Sequence, residues 1–176
     1  AEYVVLQETY GNTDTADYAD LLLPASGWGE KYGTVTNSER CISRVMPAVQ
    51  APGEARHDWE IVVDFARRLG KELGHASAEK LFPYANAEEI FNEHRETTRG
   101  RDLDITGLSY ALLEAQGPQQ WPYPEGASAG KVRLYEDGRF PTPDGKARFV
   151  AIQHQALADA TTPELPISLL SGRMRD

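Results

Sequence analysis

Leu21-Leu22-Leu23-Pro24, entered through Asp20, is the stretch that decides the fold class. Three consecutive apolar residues closed by a proline are too short for a helix and do not alternate as a half-solvated strand would, so the run reads as a buried parallel strand. Upstream, Tyr3-Val4-Val5-Leu6 is rich in β-formers, and Ala16 to Ala19 can make one helical turn between the two. Strand, short connection and strand are α/β grammar. Residues Trp28 to Asn37 are glycine-punctuated and read as an ordered loop, and Arg40 to Val45 alternates as an edge strand does.

Working further outward, Asp58 to Leu73 predicts an amphipathic helix. Asp58 stands where an N-cap belongs, Val62, Phe65, Ala66, Leu69 and Leu73 recur at helical spacing, and Gly74 ends it. A second helix is predicted from Ala87 to about Thr98, opened by Asn86 with Glu89 three residues on. A third runs from Tyr110 to Gln116 between Ser109 and Gly117. Gly117 to Pro124 is too rich in proline and glycine for a helix. Two Asp-Gly turns, Asp137-Gly138 and Asp144-Gly145, then predict hairpin-like β structure across Val132 to Ile152. Residues 156–165 read as a linker, and Pro166 to Leu170 as a short buried strand that begins a further domain.

Composition narrows the function classes. The 176 residues are 40% hydrophobic and 26% charged, which suits a folded chain rather than a disordered one. A formal net charge of -9 argues against non-specific nucleic-acid binding. No apolar stretch approaches the ~20 residues of a membrane span. One cysteine excludes an internal disulfide framework or a self-contained iron–sulfur centre, and the four histidines lack ligand spacing, so no metal is expected to be held by this chain alone. The chain opens within a strand and closes within a ligand-type loop, as expected of a piece of a longer protein.

Four places carry chemistry. Gln7-Glu8 follows the first strand, where open α/β sheets bind ligands, although an ordinary strand end has the same composition. Glu30 to Arg40 gathers charges of both signs, hydroxyls and a glycine into eleven residues, although a solvated loop with internal ion pairs would look the same. Asp58 fits two roles: a helix cap worth ~1 kcal/mol, or a carboxylate accepting two hydrogen bonds from the N1–H and amino group of a guanine. Ser171-Gly172-Arg173, after the terminal strand, offers free amides, a close-approach glycine and a guanidinium, chemistry for a phosphate or pyrophosphate. Cys41 reads as a small packed hydrophobe.

Ala19 to Ala25, Trp28-Gly29-Glu30-Lys31-Tyr32-Gly33-Thr34-Val35-Thr36-Asn37-Ser38-Glu39-Arg40 and Pro52-Gly53-Glu54-Ala55-Arg56-His57-Asp58-Trp59 resemble, in order and spacing, the second half of the molybdopterin oxidoreductases. Within that family Phe91-Asn92-Glu93, Arg99-Gly100, Asp104 to Tyr110, Gly117-Pro118, Trp121-Pro122 and Asp144 to Phe149 are most similar to the catalytic subunits of bacterial assimilatory nitrate reductases.

The resemblance implies an open, mostly parallel Rossmann-like sheet with flanking helices over residues 1–155, part of a domain binding molybdopterin guanine dinucleotide, with residues 166–176 starting the last dinucleotide-binding domain. It implies that Gln7, Glu8 and Lys31 lie against one guanine dinucleotide, that Asp58 recognises its guanine, and that Ser171, Gly172 and Arg173 open the last cofactor loop. It further implies molybdenum on two such dinucleotides, a [4Fe-4S] centre held elsewhere, nitrate as substrate, an electron donor protein or an NADH or ferredoxin system, and a cytoplasmic location. Sibling formate dehydrogenases share the scaffold, and a non-catalytic nucleotide-binding or subunit-interaction module could keep it. Two departures stand out: Cys41 occupies a position where the family commonly has arginine, and Glu8 one where many members have aspartate.

Overall fold

The leucine run does form a parallel strand. In the computed structural model, which describes residues 2–169 and 172, β1 (Val5–Glu8) pairs in parallel with β2 (Leu21–Pro24), from Val5 opposite Leu21 to Glu8 opposite Pro24. The three-ten turn Ala16–Tyr18 lies in the connection. Two expectations need correction. Gln7 and Glu8 are the last residues of β1 rather than the start of the following loop. And β2 is not buried: Leu21 is 42% exposed, because a parallel strand is covered only when helices pack on both faces of its sheet. A third extended segment continues the parallel pairing, with Ala25 bridging Arg56, the Arg56 amide donating to Pro24 O at 3.1 Å and the Ser26 amide to Arg56 O at 2.8 Å.

The second sheet is antiparallel, in the order β3 (Gly33–Thr36), β4 (Cys41–Val45), β5 (Gln119–Gln120). The predicted loop over Trp28 to Asn37 therefore contains a strand, since Thr34-Val35-Thr36 is β-branched throughout and finds a partner. β4, expected at an edge, lies in the middle. Their connection is an Asx turn: Asn37 Oδ1 accepts the amides of Glu39 and Cys41, both at 2.9 Å, while Arg40 takes a left-handed φ of 65°.

The helices are α1 (Asp58–Glu72), α2 (Ala78–Leu81), α3 (Ala87–Thr97) and α4 (Tyr110–Gln116). Two caps are as predicted: Asn86 accepts the Glu89 amide at 3.0 Å, and Ser109 the Leu112 amide at 3.1 Å. α1 differs. Its N-cap is His57, whose amide donates to Glu60 Oε2 at 3.2 Å, and Asp58 is the first helical residue with its side chain free for other partners. The buried face carries Ile61 and Val63, whereas the stripe of Val62, Phe65, Leu69 and Leu73 faces solvent, Phe65 being 62% exposed.

The main core lies around β4, α3 and α4, where Ile42, Phe91, Ile105, Leu108, Tyr110, Leu113 and Tyr123 pack together with Leu112, Trp121 and Ala127 against them. Each Å² of apolar surface these side chains withdraw from water stabilises the fold by about 25 cal/mol.

The chain divides into two units, Ala1–Leu134 and Tyr135–Asp176. In the second, both Asp-Gly turns form: Asp137 Oδ1 accepts the Arg139 amide at 3.1 Å, Asp144 Oδ1 the Lys146 amide at 3.2 Å, and Gly138 and Gly145 sit at φ 69°. The expected hairpin strands do not, because turn chemistry is local whereas a ladder needs an edge to pair with. Residues 166–169 form no strand either, and Leu169 is 91% exposed.

Candidate functional site

Three of the residues singled out from sequence converge. β1 brings Gln7 to its carboxyl end, the segment after β2 brings Lys31, and α1 brings Asp58 at its first turn. Gln7 Nε2 donates to Asp58 Oδ1 at 2.7 Å, and Lys31 Nζ donates to Asp58 Oδ2 at 2.9 Å. The Lys31 hydrogen bond holds the Asp58 carboxyl below its ordinary range, against the opposing effect of partial burial and with help from the Gln7 amide. Asp58 keeps half of its side chain in solvent, so the carboxylate is open to a further donor.

The start of α1 is fixed from beneath. Ser26, 1% exposed, places its hydroxyl 2.9 Å from His57 Nδ1, and Tyr32 packs edge-on against the His57 ring at 5.2 Å between centroids. With the Ser26 amide on Arg56 O, these contacts tie the carboxyl end of β2 to the residue before Asp58. Ser26, Tyr32 and His57 were not singled out as site residues; the detectable signal is a hydroxyl directly after a strand and a histidine directly before a helix. The Trp28–Glu30 turn is also anchored, with Glu30 Oε2 accepting the Gly27 amide at 2.8 Å, and Lys31 Nζ lies 5.3 Å from the centre of the Trp28 ring. An open cleft of about 410 Å³ is lined by Tyr32, Val49, His57 and Glu60 among others, but by none of Gln7, Lys31 and Asp58.

Glu8 stands apart from the cluster: its Oε1 accepts the amides of Thr9 at 2.7 Å and Tyr10 at 3.3 Å. Gly172 belongs to the second unit, where an added Cβ would meet nothing within 4 Å, while Ser171 and Arg173 lie outside the described residues. Cys41 is a half-buried free thiol in β4. No cluster of three or more metal-ligating side chains occurs among the described residues, and no helix there is long and apolar enough to cross a membrane.

Residues 1–68 match the family model described as molybdopterin oxidoreductase. Across 98% of its length the chain is 38% identical to a nitrate reductase of Synechocystis, covering 24% of that protein. It is 39% identical over 92% of its length to the assimilatory nitrate reductase catalytic subunit of Bacillus subtilis, covering 22% of it. The alpha subunit of an F420-dependent formate dehydrogenase from Methanocaldococcus jannaschii is 33% identical over 98% of the chain, again with 24% of that protein covered. The chain thus spans about a quarter of the length of the curated relatives it matches. With one stretch matching the family model and nitrate reductase similarity running almost end to end, the chain belongs to the molybdopterin oxidoreductase family.

Proposed function

We propose that this chain forms part of the cofactor cradle of a molybdenum oxidoreductase that reduces nitrate to nitrite, with Asp58 receiving the guanine end of one molybdopterin guanine dinucleotide. The convergence of Gln7, Lys31 and Asp58 at the carboxyl ends of parallel strands carries this reading. The residues suit the group. A carboxylate offers roughly four acceptor positions, of which Gln7 and Lys31 take two, and guanine presents two donors on one edge, N1–H and the amino group. Lys31 supplies a cation beside that edge for an anionic ligand, and Gln7 orients the carboxylate. Glu8 contributes by shaping the Thr9–Tyr10 loop through its amides. Ser171, Gly172 and Arg173 belong to the same proposal as a second, pyrophosphate-binding loop.

The pterin-bound molybdenum, when present, supplies the two-electron oxygen-atom transfer, and this chain binds and orients. A Rossmann-like sheet completed by further strands, a second guanine dinucleotide and a [4Fe-4S] centre held by other residues of the longer protein complete the proposal. So do an electron donor protein or an NADH or ferredoxin system, and a cytoplasmic location. Similarity to formate dehydrogenase alpha subunits favours formate oxidation as the second reading.

Viologen assays on the longer protein separate the two readings. Nitrate-dependent oxidation of reduced viologen, without formate-dependent reduction of the oxidised dye, is the expected result. The opposite pattern gives the chain to the formate dehydrogenases.

A further inference from the structure

Trp28 is a large aromatic side chain left 66% exposed on a turn whose backbone is fixed. Glu30 holds the Gly27 amide at 2.8 Å, and Gly29 O accepts the amides of Ala48 and Val49 at 2.8 and 3.0 Å. This indole, on an anchored turn after the carboxyl end of β2 and with the Lys31 ammonium over its ring, has aromatic surface left for a ligand. Lys31 links it to Asp58: one ammonium lies 5.3 Å from the ring centre and 2.9 Å from Asp58 Oδ2. The exposed indole and the carboxylate that would hold a base by its edge thus share one neighbouring ammonium.

We propose that Trp28 is the stacking platform for the purine base that Asp58 holds by its edge. This rests on the assignment of Asp58 to a guanine. The labour divides by physics: the carboxylate reads the donor edge and selects the base, whereas stacking accepts any π-face and contributes affinity without selectivity. Lys31, on the indole and the carboxylate together, keeps the two elements in register.

Dissociation of guanine nucleotide from the full-length cofactor-loaded protein tests it, followed as GMP recovered by acid hydrolysis after timed gel filtration. Base–aromatic stacking corresponds to about a ten-fold change in dissociation rate. W28L and W28A are expected to release guanine nucleotide about ten-fold faster than the natural protein, and W28F within about three-fold of it. W28L holding the nucleotide as well as tryptophan does would show that bulk alone matters and overturn the platform; W28F failing as badly as W28A overturns it too. D58N in the same experiment separates the two levels: full retention by D58N removes the Asp58 assignment, whereas fast release by D58N with unchanged W28L removes the platform alone.

Discussion

With Lys31 Nζ and Gln7 Nε2 both donating to its carboxylate, Asp58 titrates below the ordinary aspartate value of 3.8. A depressed folded-state pKa means that the stabilisation from the ionised form is fully present above that ordinary value and is lost as pH falls through the folded one. Removing the cation in K31M should move the Asp58 midpoint upward, and Q7L should move it less, since Lys31 is the larger cause. Carbon-detected titration of the Asp58 carboxyl reads this directly; an unchanged midpoint in K31M would dissolve the pair as an electrostatic unit. Beneath it, S26A removes a buried hydroxyl from His57 Nδ1 and should cost about 1 kcal/mol in urea unfolding. Recovery in S26T, with no recovery in S26V, would tie that loss to the hydroxyl.

Elements differ in how much of themselves they carry in sequence. α3 and α4 were legible to the residue at their starts because Asn86 and Ser109 act within one turn of chain. For the same reason N86A should destabilise by about 1 kcal/mol, measured as a lower urea midpoint at constant slope. β5 was illegible, since Gln119-Gln120 has no strand signature and exists only through its pairing with Cys41 and Ile42. α1 starts one residue earlier than a cap at Asp58 implies, and that residue matters: with His57 as N-cap, the Asp58 carboxylate is available to Gln7 and Lys31. Close approach is equally invisible in sequence. A Cβ on Gly107 would lie 2.5 Å from Pro124 O and 2.9 Å from Tyr123 O, both backbone atoms, so G107A should unfold at markedly lower denaturant, by about 1–3 kcal/mol. A midpoint equal to the natural chain's would mean the Tyr123–Pro124 strap moves freely.

On the scale of the whole molecule, the α/β class was readable from one leucine run, whereas its burial was not, because what covers a strand or a helix face is decided by residues distant in sequence. Leu21, Phe65 and Leu69 are apolar and solvent-facing in a chain that spans about a quarter of its relatives. The 176-residue chain alone should therefore bind the dye ANS strongly and show no nitrate turnover with reduced viologen, while the longer protein binds little dye. Equal dye binding by both would leave the exposed stripe as ordinary surface. The central claim, that Asp58 holds a guanine, is tested most directly by the molybdenum content of full-length D58N. Asparagine keeps the side chain's size but reverses one hydrogen-bonding edge, so metal per polypeptide should fall several-fold, while loss of the half-exposed pair with Lys31 shifts the urea midpoint of the polypeptide little. Molybdenum loading equal to that of the natural protein would contradict the account and leave Asp58 as the partner of Gln7 and Lys31 alone.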